Sequence, residues 1–576
     1  MEKLIRENYE KWLSSPVVDE ASKAELRAIA DDENELKSRF MSYLSFGTAG
    51  LRGTMAAGTN RMNVYTVAHA TQGLADLILG CGAAERGVAV AYDSRNNSRL
   101  FAETASSVLA ANGIRVLFYE SLRPTPVLSF ALRHHNCIAG INITASHNPK
   151  EYNGYKAYWE DGAQLPPDHA AVVAKSMESV DIFEDVKRVD FDEAVKSGII
   201  TIIGKETDEA YLSCVLEQAV NPDAVAKVAD SMRIVYTPLY GAGHKMVPEA
   251  LRRIGLKQLY AVEEEMTPNG DFPGIKNPNP EFKEAFVRGL ETAKKVNSDL
   301  IIATDPDCDR VGVMVRGKDG EFVTISGNQM GAMLLDYIIT AYNERGTMPP
   351  EPYAVKTIVT TEMVSRICAE NGVTLHNVLT GFKFIGEVIK KSEESGHGSF
   401  LLGFEESYGY LKGTYARDKD AVVASMLICE MAAFYAAKGM TLADALAKLY
   451  ERYGTYREYT QSLTMSGLDG AERIKAIMKK LRETPPASVS GVRVTHVRDY
   501  LAGTITDTAT GSTEGTGLPS SDVMYYSLEG GDVIVVRPSG TEPKVKFYYL
   551  VGDVTAEAAD EKIASYESYI SEFCAL

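Results

Sequence analysis

The chain has 576 residues, 45% of them hydrophobic and 24% charged, which is an ordinary globular composition and too long for a single hydrophobic core. Its formal net charge of −18 argues against a nucleic-acid surface but permits a local basic pocket for a small phosphorylated molecule. The seven cysteines include no C-x-x-C pair, and no run approaches the roughly 20 apolar residues of a membrane span, so we expect a soluble, cytoplasmic protein.

Short apolar runs that end in polar, glycine-containing loops recur along the chain. We predict a strand followed by a loop at residues 87–98, 114–120, 137–148, 232–243, 300–310, 355–363 and 399–409. The intervening segments, such as residues 99–113 and 327–346, have the pattern of helices. This alternation is typical of α/β domains, in which ligands bind beyond the carboxyl ends of the strands.

The last part of the chain has a different pattern. A stretch at roughly residues 441–482 predicts helix, and the Pro-containing linker "TPPAS" and two β-rich segments follow it. We therefore predict a smaller α+β domain after three α/β domains in tandem. The predicted domains are residues 1–205, 206–320, 321–445 and 446–576, the last including the helical linker.

The strongest local signal for chemistry is "TDPDCDR", which follows the predicted buried strand "LIIA". Its carboxylates at Asp305, Asp307 and Asp309 would repel one another unless a cation lay among them, and oxygen donors suit Mg²⁺. The alternative is a solvated acidic loop or a series of Asx turns. Arg310 could hold an anion beside the metal or could neutralise the aspartates.

The segment "VVRPSGTEPKVKFYY" at residues 535–549 predicts a strand, a loop and a strand. It offers guanidinium, hydroxyl, ammonium and backbone donors within ten residues, which suits the acceptor oxygens of a phosphate dianion. The donors are Arg537, Ser539, the backbone around Gly540, Thr541 and Lys546. An ordinary hairpin turn rich in Pro, Ser and Gly is the alternative.

The loop "GFEESYGY" supplies Glu405 and Ser407 at the end of another predicted strand. A carboxylate beside a hydroxyl is suited to the neutral hydroxyls of a sugar. A surface Glu-Glu-Ser is common, so this loop alone is weak evidence for a sugar site.

The loop "ITASHNPKEYNGYK" places Ser146 before His147 just after an apolar run. This order suggests a serine hydrolase, but the G-x-S-x-G elbow is absent. Lys150 and Lys156 are suited to phosphoryl oxygens or to proton transfer. A phosphorylated Ser146, whose phosphate would bind the cation of the three aspartates, explains this loop better; the alternative is a serine in a strand-end turn.

Taken together, these loops resemble those of the α-D-phosphohexomutase family, of the phosphoglucomutase and phosphomannomutase type. The resemblance covers nearly the whole chain, in order. It rests on "FGTAGLRG", "YDSRNNS", "TASHNPKEYNGYK", "TPLYGAG", "NPNPE", "DPDCDR", "TGFKFIGE", "GFEESYG" and "RPSGTEPKVKFY". It implies three related α/β domains and a smaller, mobile C-terminal domain around a central cleft.

The resemblance also implies roles for individual residues. The metal ligands would be Asp305, Asp307, Asp309 and the phosphate on Ser146, which carries the phosphoryl group. Lys156 and Arg310 would assist transfer, with Lys156 as the leading candidate for the general acid/base, and Arg52 would contact the phosphoryl group. The substrate would be held by Thr380, Gly381, Glu405, Ser407, Lys419, Arg537, Ser539, Gly540, Thr541 and Lys546.

The sequence departs from the family at four positions. Pro306 and Cys308 stand where the metal loop commonly has glycines, and Phe382 and Gly409 stand where bacterial phosphomannomutases carry histidines. The Glu405-Glu406-Ser407 form of the sugar loop is more like that of glucose-type members.

The activity that the resemblance implies is interconversion of glucose 1-phosphate and glucose 6-phosphate. It would use Mg²⁺ and glucose 1,6-bisphosphate, the latter as activator and intermediate. The alternatives within the family are a phosphomannomutase, a phosphopentomutase, an aminosugar-phosphate mutase or a hexose-bisphosphate synthase. A phosphosugar-binding protein without turnover is the alternative outside it. We expect a monomer or weak dimer with a phosphosugar substrate and neither nucleic acid nor membrane as partner.

Overall fold

The structure is a computed structural model that describes residues 2–47, 50–317, 319–465, 470–539 and 544–574. The chain forms two compact units. The first comprises Met1–Ile325, Ile389–Lys391 and Tyr408–Gly439, and the second comprises Ser326–Val388, Ser392–Ser407 and Met440–Leu576. Within the described ranges, no helix combines the length and the apolar character needed to cross a membrane.

The first sheet has six strands in the order β1-β5-β4-β2-β3-β6, and β4, β2, β3 and β6 run parallel. Strands β2, β3 and β4 are buried throughout, as expected when helices cover both faces of a parallel sheet. The strands are β1 (Leu51–Thr54), β2 (Val88–Tyr92), β3 (Val116–Tyr119), β4 (Ala139–Ile143), β5 (Tyr152–Trp159) and β6 (Ile200–Ile203). The helices are α1 (Glu2–Ser14), α2 (Glu20–Ala28), α3 (Glu33–Phe40), α4 (Val64–Gly80), α5 (Ser98–Ala111), α6 (Thr125–His134), α7 (Pro167–Ser179), α8 (Phe191–Ser197) and α9 (Lys205–Leu216).

The second sheet has five strands in the order β11-β10-β9-β7-β8. Its central strands β7 and β9 run parallel, and apolar side chains such as Val235, Phe286 and Ile301 form its core. The strands are β7 (Arg233–Thr237), β8 (Gln258–Ala261), β9 (Leu300–Thr304), β10 (Val311–Arg316) and β11 (Phe322–Ile325). The helices are α10 (Pro222–Val228), α11 (Gly243–Arg253) and α12 (Val287–Val296).

A third set of parallel strands lies in the second unit, in the order β13-β12-β14. Helix α13 begins with a capping box between Ser326 and Gln329, which pairs backbone N–H groups that would otherwise lack acceptors. The strands are β12 (Pro352–Thr357), β13 (Thr374–Val378), β14 (Ser399–Glu405) and β15 (Gly409–Leu411), and the helices are α13 (Gly327–Arg345), α14 (Met363–Asn371), α15 (Phe382–Ser395), α16 (Ala421–Ala436) and α17 (Leu442–Tyr453). Strand β15 and helix α16 belong to the first unit.

The C-terminal part is a largely antiparallel sheet in the order β16-β23-β22-β21-β18-β19-β20, with β17 paired to β18. Apolar side chains of this sheet, including Tyr525 and Tyr548, pack with Ile358 and Leu379 of the same unit. The strands are β16 (Thr455–Thr464), β17 (Ser488–Val489), β18 (Val492–Asp499), β19 (Thr504–Asp507), β20 (Thr513–Gly515), β21 (Met524–Leu528), β22 (Val533–Pro538) and β23 (Lys544–Asp553), and the helices are α18 (Gly470–Glu483) and α19 (Ala556–Cys574).

The structure confirms the α/β fold class and all seven predicted strand-and-loop segments, as well as the helices predicted at 99–113 and 327–346. The prediction of helix throughout residues 441–482 was wrong in its middle. Residues Thr455–Thr464 form strand β16, which pairs with β23 over its whole length. Tyr and Thr residues in this segment favour a strand, and the pairing with β23 outweighs the weak helical pattern.

Candidate active site

Two predicted loops of the first unit lie against each other. Ser146 follows β4 and the three aspartates follow β9. The Ser146 hydroxyl donates a hydrogen bond to Oδ2 of Asp305 over 3.0 Å, and Ser146 is only 4% exposed. The serine is therefore held at the edge of a buried carboxylate cluster, 159 residues away along the chain.

The backbone of Ser146 is in an unusual conformation. Its φ is 51°, in the left-handed region that costs a residue with a Cβ about 1–2 kcal/mol. Its N–H donates to Oγ1 of Thr144 over 2.8 Å, and Arg95 donates to its carbonyl over 2.6 Å. Thr144 in turn donates to Oδ2 of Asp93 over 2.6 Å. These contacts hold Ser146 in the conformation that directs its hydroxyl at Asp305.

The residues Asp93, Arg95 and Thr144 were not predicted as site residues. Asp93 and Arg95 form a buried ion pair at 3.4 Å, and both lie in the loop after β2. Their motif, "YDSRNNS", was part of the family resemblance, but nothing in it indicated a contact with the serine loop. That contact depends on β2 lying next to β4 in the sheet.

The carboxylates of Asp305, Asp307 and Asp309 offer ligand atoms that lie within 4.8 Å of one another, and each residue is at most 1% exposed. Burial, together with the negative charges of the other two aspartates, raises the pKa of Asp305 well above its usual value. Oδ1 of Asp307 and Oδ1 of Asp309 are buried and accept no hydrogen bond from the described residues. Three clustered carboxylates fit a hard divalent cation, since two of them have a buried oxygen that accepts no hydrogen bond from the described residues.

Two lysines contact this cluster. Nζ of Lys156 lies 2.7 Å from Asp307 and 3.2 Å from Asp309, and Nζ of Lys419 lies 3.2 Å from Asp309. Burial favours a lower pKa for Lys156, but Asp307 and Asp309 outweigh it and raise that pKa, so the ammonium form is retained. The family resemblance predicted Lys419 as a substrate ligand, and the structure places it against Asp309.

Further polar side chains around the cluster include Arg310, Arg52 and His147. Nη1 of Arg310 donates to Glu281 over 2.8 Å, and its backbone N–H donates to Asp305 over 3.0 Å. Nη1 of Arg52 donates to Asn148 in the serine loop over 3.1 Å. Nδ1 of His147 lies 3.1 Å from the Ser146 hydroxyl, and burial with the nearby charges of Arg310 and Arg52 lowers the pKa of His147 well below its usual value.

Cys308 stands where the family's metal loop commonly has glycine, and Gly243 leaves room for its side chain. Cys308 has a φ of 53°, where a glycine would be unstrained, and it is fully buried. A Cβ at Gly243 would lie 2.9 Å from the Cys308 sulfur, closer than real contacts allow. The side chain of Cys308 therefore occupies space that Gly243 leaves open.

The predicted sugar-binding residues lie in the second unit. Glu405 ends β14 and is 7% exposed, and the hydroxyl of Ser407 lies 3.4 Å from Glu406. Glu406 also accepts hydrogen bonds from Thr357 and Thr360. Thr380 and Gly381 directly precede α15, and Gly381 has a φ of 123° that a residue with a Cβ would rarely adopt.

The predicted phosphate-binding residues Arg537 and Lys546 are directly opposite each other on β22 and β23. Like charges at opposed positions repel, so this pair is favourable when an anion lies between the side chains. Ser539 donates its backbone N–H to Lys544 over 2.7 Å. Gly540 and Thr541 lie outside the described residues.

Comparison with known proteins agrees with this fold. Models of the phosphoglucomutase/phosphomannomutase family match residues 43–182 as α/β/α domain I, 209–319 as domain II and 326–453 as domain III. A phosphoglucomutase of Staphylococcus saprophyticus is 35% identical over 93% of this chain and 95% of its own length. One from Staphylococcus aureus strain NCTC 8325 is 34% identical over 92% and 94%.

Solved structures share the fold. Parafusin of Paramecium, a phosphoglucomutase in its open form, aligns with a TM-score of 0.68 at 18% identity over 93% of this chain and 96% of that one. A phosphoglucomutase/phosphomannomutase family protein from Burkholderia thailandensis aligns with a TM-score of 0.64 at 17% identity over 92% and 97%.

The three matched domains, and the similarity to phosphoglucomutases over more than 90% of the chain, define the class of this protein. The chain belongs to the phosphoglucomutase/phosphomannomutase family, the α-D-phosphohexomutases. It is a phosphohexomutase, an enzyme of the isomerase class that acts on phosphosugars.

Proposed function

We propose that the enzyme interconverts glucose 1-phosphate and glucose 6-phosphate through a phosphorylated Ser146. The observation that carries this proposal is the 3.0 Å hydrogen bond between the Ser146 hydroxyl and the buried aspartate cluster. Curated relatives named phosphoglucomutase at 34–35% identity support glucose as the sugar.

The reaction consists of two phosphoryl transfers. In the first, the bond between phosphorus and the Ser146 oxygen breaks while a bond forms to the free hydroxyl of the hexose phosphate, giving glucose 1,6-bisphosphate. The bisphosphate turns around in the site, and its other phosphoryl group returns to the Ser146 oxygen. In each transfer, a group in the site accepts the proton of the attacking hydroxyl and the departing oxygen receives a proton. The two transfers together therefore regenerate the enzyme.

Asp305, Asp307, Asp309 and the phosphate on Ser146 would hold Mg²⁺. When bound, this ion stabilises negative charge on the group being transferred. Lys156, held as an ammonium ion 2.7 Å from Asp307, stabilises the same charge. Arg52 and Arg310 add positive charge at the rim of the cluster.

We assign proton transfer to Lys156, as the leading candidate, with His147 as the alternative. Lys156 in its ammonium form can donate a proton to the departing seryl oxygen. Neutral His147 lies 3.1 Å from that oxygen and could accept the serine proton in the return step. Comparing Lys156→Met and His147→Ala in single-turnover experiments from each substrate would distinguish the two.

Substrate binding would fall to the loops of the second unit. Glu405 and Ser407 would bind sugar hydroxyls, with Thr380 and Gly381 beside them, and Lys419 is a further candidate substrate ligand. Arg537, Ser539, Gly540, Thr541 and Lys546 would hold the phosphate that is not reacting. The opposed positive charges of Arg537 and Lys546 support this assignment.

A coupled assay with glucose, mannose, ribose and N-acetylglucosamine 1-phosphates tests the proposed sugar. Glucose 1-phosphate should give the highest kcat/KM. A higher value with another sugar would replace the glucose assignment by the corresponding mutase, and net synthesis of bisphosphate would indicate a hexose-bisphosphate synthase.

A further inference from the structure

A cavity of the first unit has no part in the site described above. Its volume is about 630 Å³, which lies within the range of small-molecule sites. Its walls come from the segment before β1 and from the end of α7 with the loop that follows. Its floor includes the buried side chains of Phe46, His69 and Ile182.

The walls of this cavity combine aromatic rings with negative charge. The rings of Tyr43 and His69 lie 6.0 Å apart, and Phe46 adds a third ring. Lys11, the cation of the lining, pairs with Asp181. Glu178 forms no ion pair with any described residue, and Asp185 contributes a further carboxylate.

We propose that this cavity binds a small organic cation, an amine with an apolar or aromatic body. The apolar body would contact the rings, since burial of apolar surface and cation–π attraction both favour such a ligand. The ammonium group would lie near Glu178 and Asp185, where the lining carries an excess of negative charge. A carboxylate of the same shape would be repelled.

Binding in this cavity is connected to the catalytic residues through the segment that forms its wall. The Phe46 ring lies 6.3 Å from the ring of Tyr155, the residue before Lys156 on β5. The same segment continues into β1, where Leu51 pairs with Tyr155 and Arg52 with Gly154. A ligand that contacts Phe46 therefore alters the packing next to Lys156 and Arg52, which makes the amine an effector of the mutase.

Three probes of one shape and different charge test the proposal on the full-length chain: phenethylamine, 2-phenylethanol and phenylacetate. Saturable binding measured by calorimetry or ligand-observed NMR should be strongest for the amine and weakest for the carboxylate. Ala174→Phe fills the cavity from α7 and should abolish binding of the amine. Glu178→Gln should weaken it by about two- to five-fold, the value of an exposed ion pair.

The control is Glu184→Gln, which removes a nearby exposed carboxylate that does not line the cavity and should leave binding unchanged. If Ala174→Phe does not fold, Tyr43→Ala serves instead, because Tyr43 is 42% exposed and contributes a ring to the wall. Equal binding of the three probes, no binding of the amine up to about 10 mM, or unchanged binding in the cavity variants would overturn the site.

The effector role has its own measurement. Saturating phenethylamine should change the KM or kcat of wild-type turnover, and Ala174→Phe should remove that change while retaining basal activity. Binding without any change in turnover would overturn the connection to the catalytic residues. The binding measurements do not use the sugar substrate, so a failure of the glucose assignment is distinguishable from a failure of this proposal.

Discussion

Thr144→Val removes a hydroxyl that makes two hydrogen bonds beside Ser146. In the structure, this hydroxyl accepts the Ser146 N–H over 2.8 Å and donates to buried Asp93 over 2.6 Å. Valine has nearly the same shape, so packing is retained while two buried polar groups lose a partner. Each such loss costs roughly 1–3 kcal/mol. The left-handed backbone of Ser146 also loses one of the contacts that hold it.

We expect Thr144→Val to lower kcat by about 10- to 100-fold. This is the expected effect if the free energy lost with one of these hydrogen bonds is added to the activation free energy. The assay follows glucose 6-phosphate formation through a dehydrogenase, and urea unfolding measures stability in parallel. Thr144→Ser keeps the hydroxyl and is the matched control, which should retain most of the activity. Wild-type kcat in Thr144→Val, or equal losses in both variants, would refute the positioning role of this hydroxyl.

Three further predictions concern other parts of the molecule. Asp307→Asn should raise the Mg²⁺ concentration needed for half-maximal activity, because a neutral amide is a weaker ligand; an unchanged Mg²⁺ dependence would remove Asp307 from the metal site. Arg537→Ala should lower kcat/KM for glucose 1-phosphate and glucose 6-phosphate by comparable factors, since one loop holds either phosphate in turn; a loss in one direction only would require a second phosphate-binding loop. Burial raises the pKa of Glu458 from its ordinary value of 4.5 to about 7, although a hydrogen bond from Thr361 opposes this. The folded state therefore favours the protonated carboxyl, and the free energy of unfolding should fall as the pH rises from 4.5 to 7. Glu458→Gln should flatten that fall in urea unfolding, and an unchanged pH profile would contradict the assignment.

The strands, the loops that follow them and most of the metal loop could be predicted because their signals are local. A buried apolar run followed by alternating aspartates indicates a strand end and a cation site within a few residues. Glycine-containing loops after each apolar run indicated the other strand ends in the same way. The proximity of Ser146 to Asp305 was predicted from the chemistry of the two loops, since a phosphate on Ser146 would bind the cation of the aspartates, and the family resemblance implied the same arrangement.

Other contacts between distant loops could not be predicted from local patterns. The approach of Lys419 to Asp309 joins residues 110 positions apart, and it depends on where α16 begins. The contact of Thr144 with Asp93 depends on β2 and β4 being neighbours. Strand β16 was predicted as helix because its pairing partner, β23, lies about 90 residues later in the chain. The predicted domain boundaries and the roles of the individual site residues remain predictions.

Covalent phosphate on Ser146 is the central claim, and intact-mass analysis tests it most directly. The full-length chain is incubated with glucose 1,6-bisphosphate, its mass is measured, and the modified peptide is sequenced. We predict one added phosphoryl group on the peptide that contains Ser146, its loss on addition of excess glucose 1-phosphate, and no such group on Ser146→Ala. An unmodified wild-type chain that turns over substrate, or a phosphoryl group that persists in Ser146→Ala, would contradict the account.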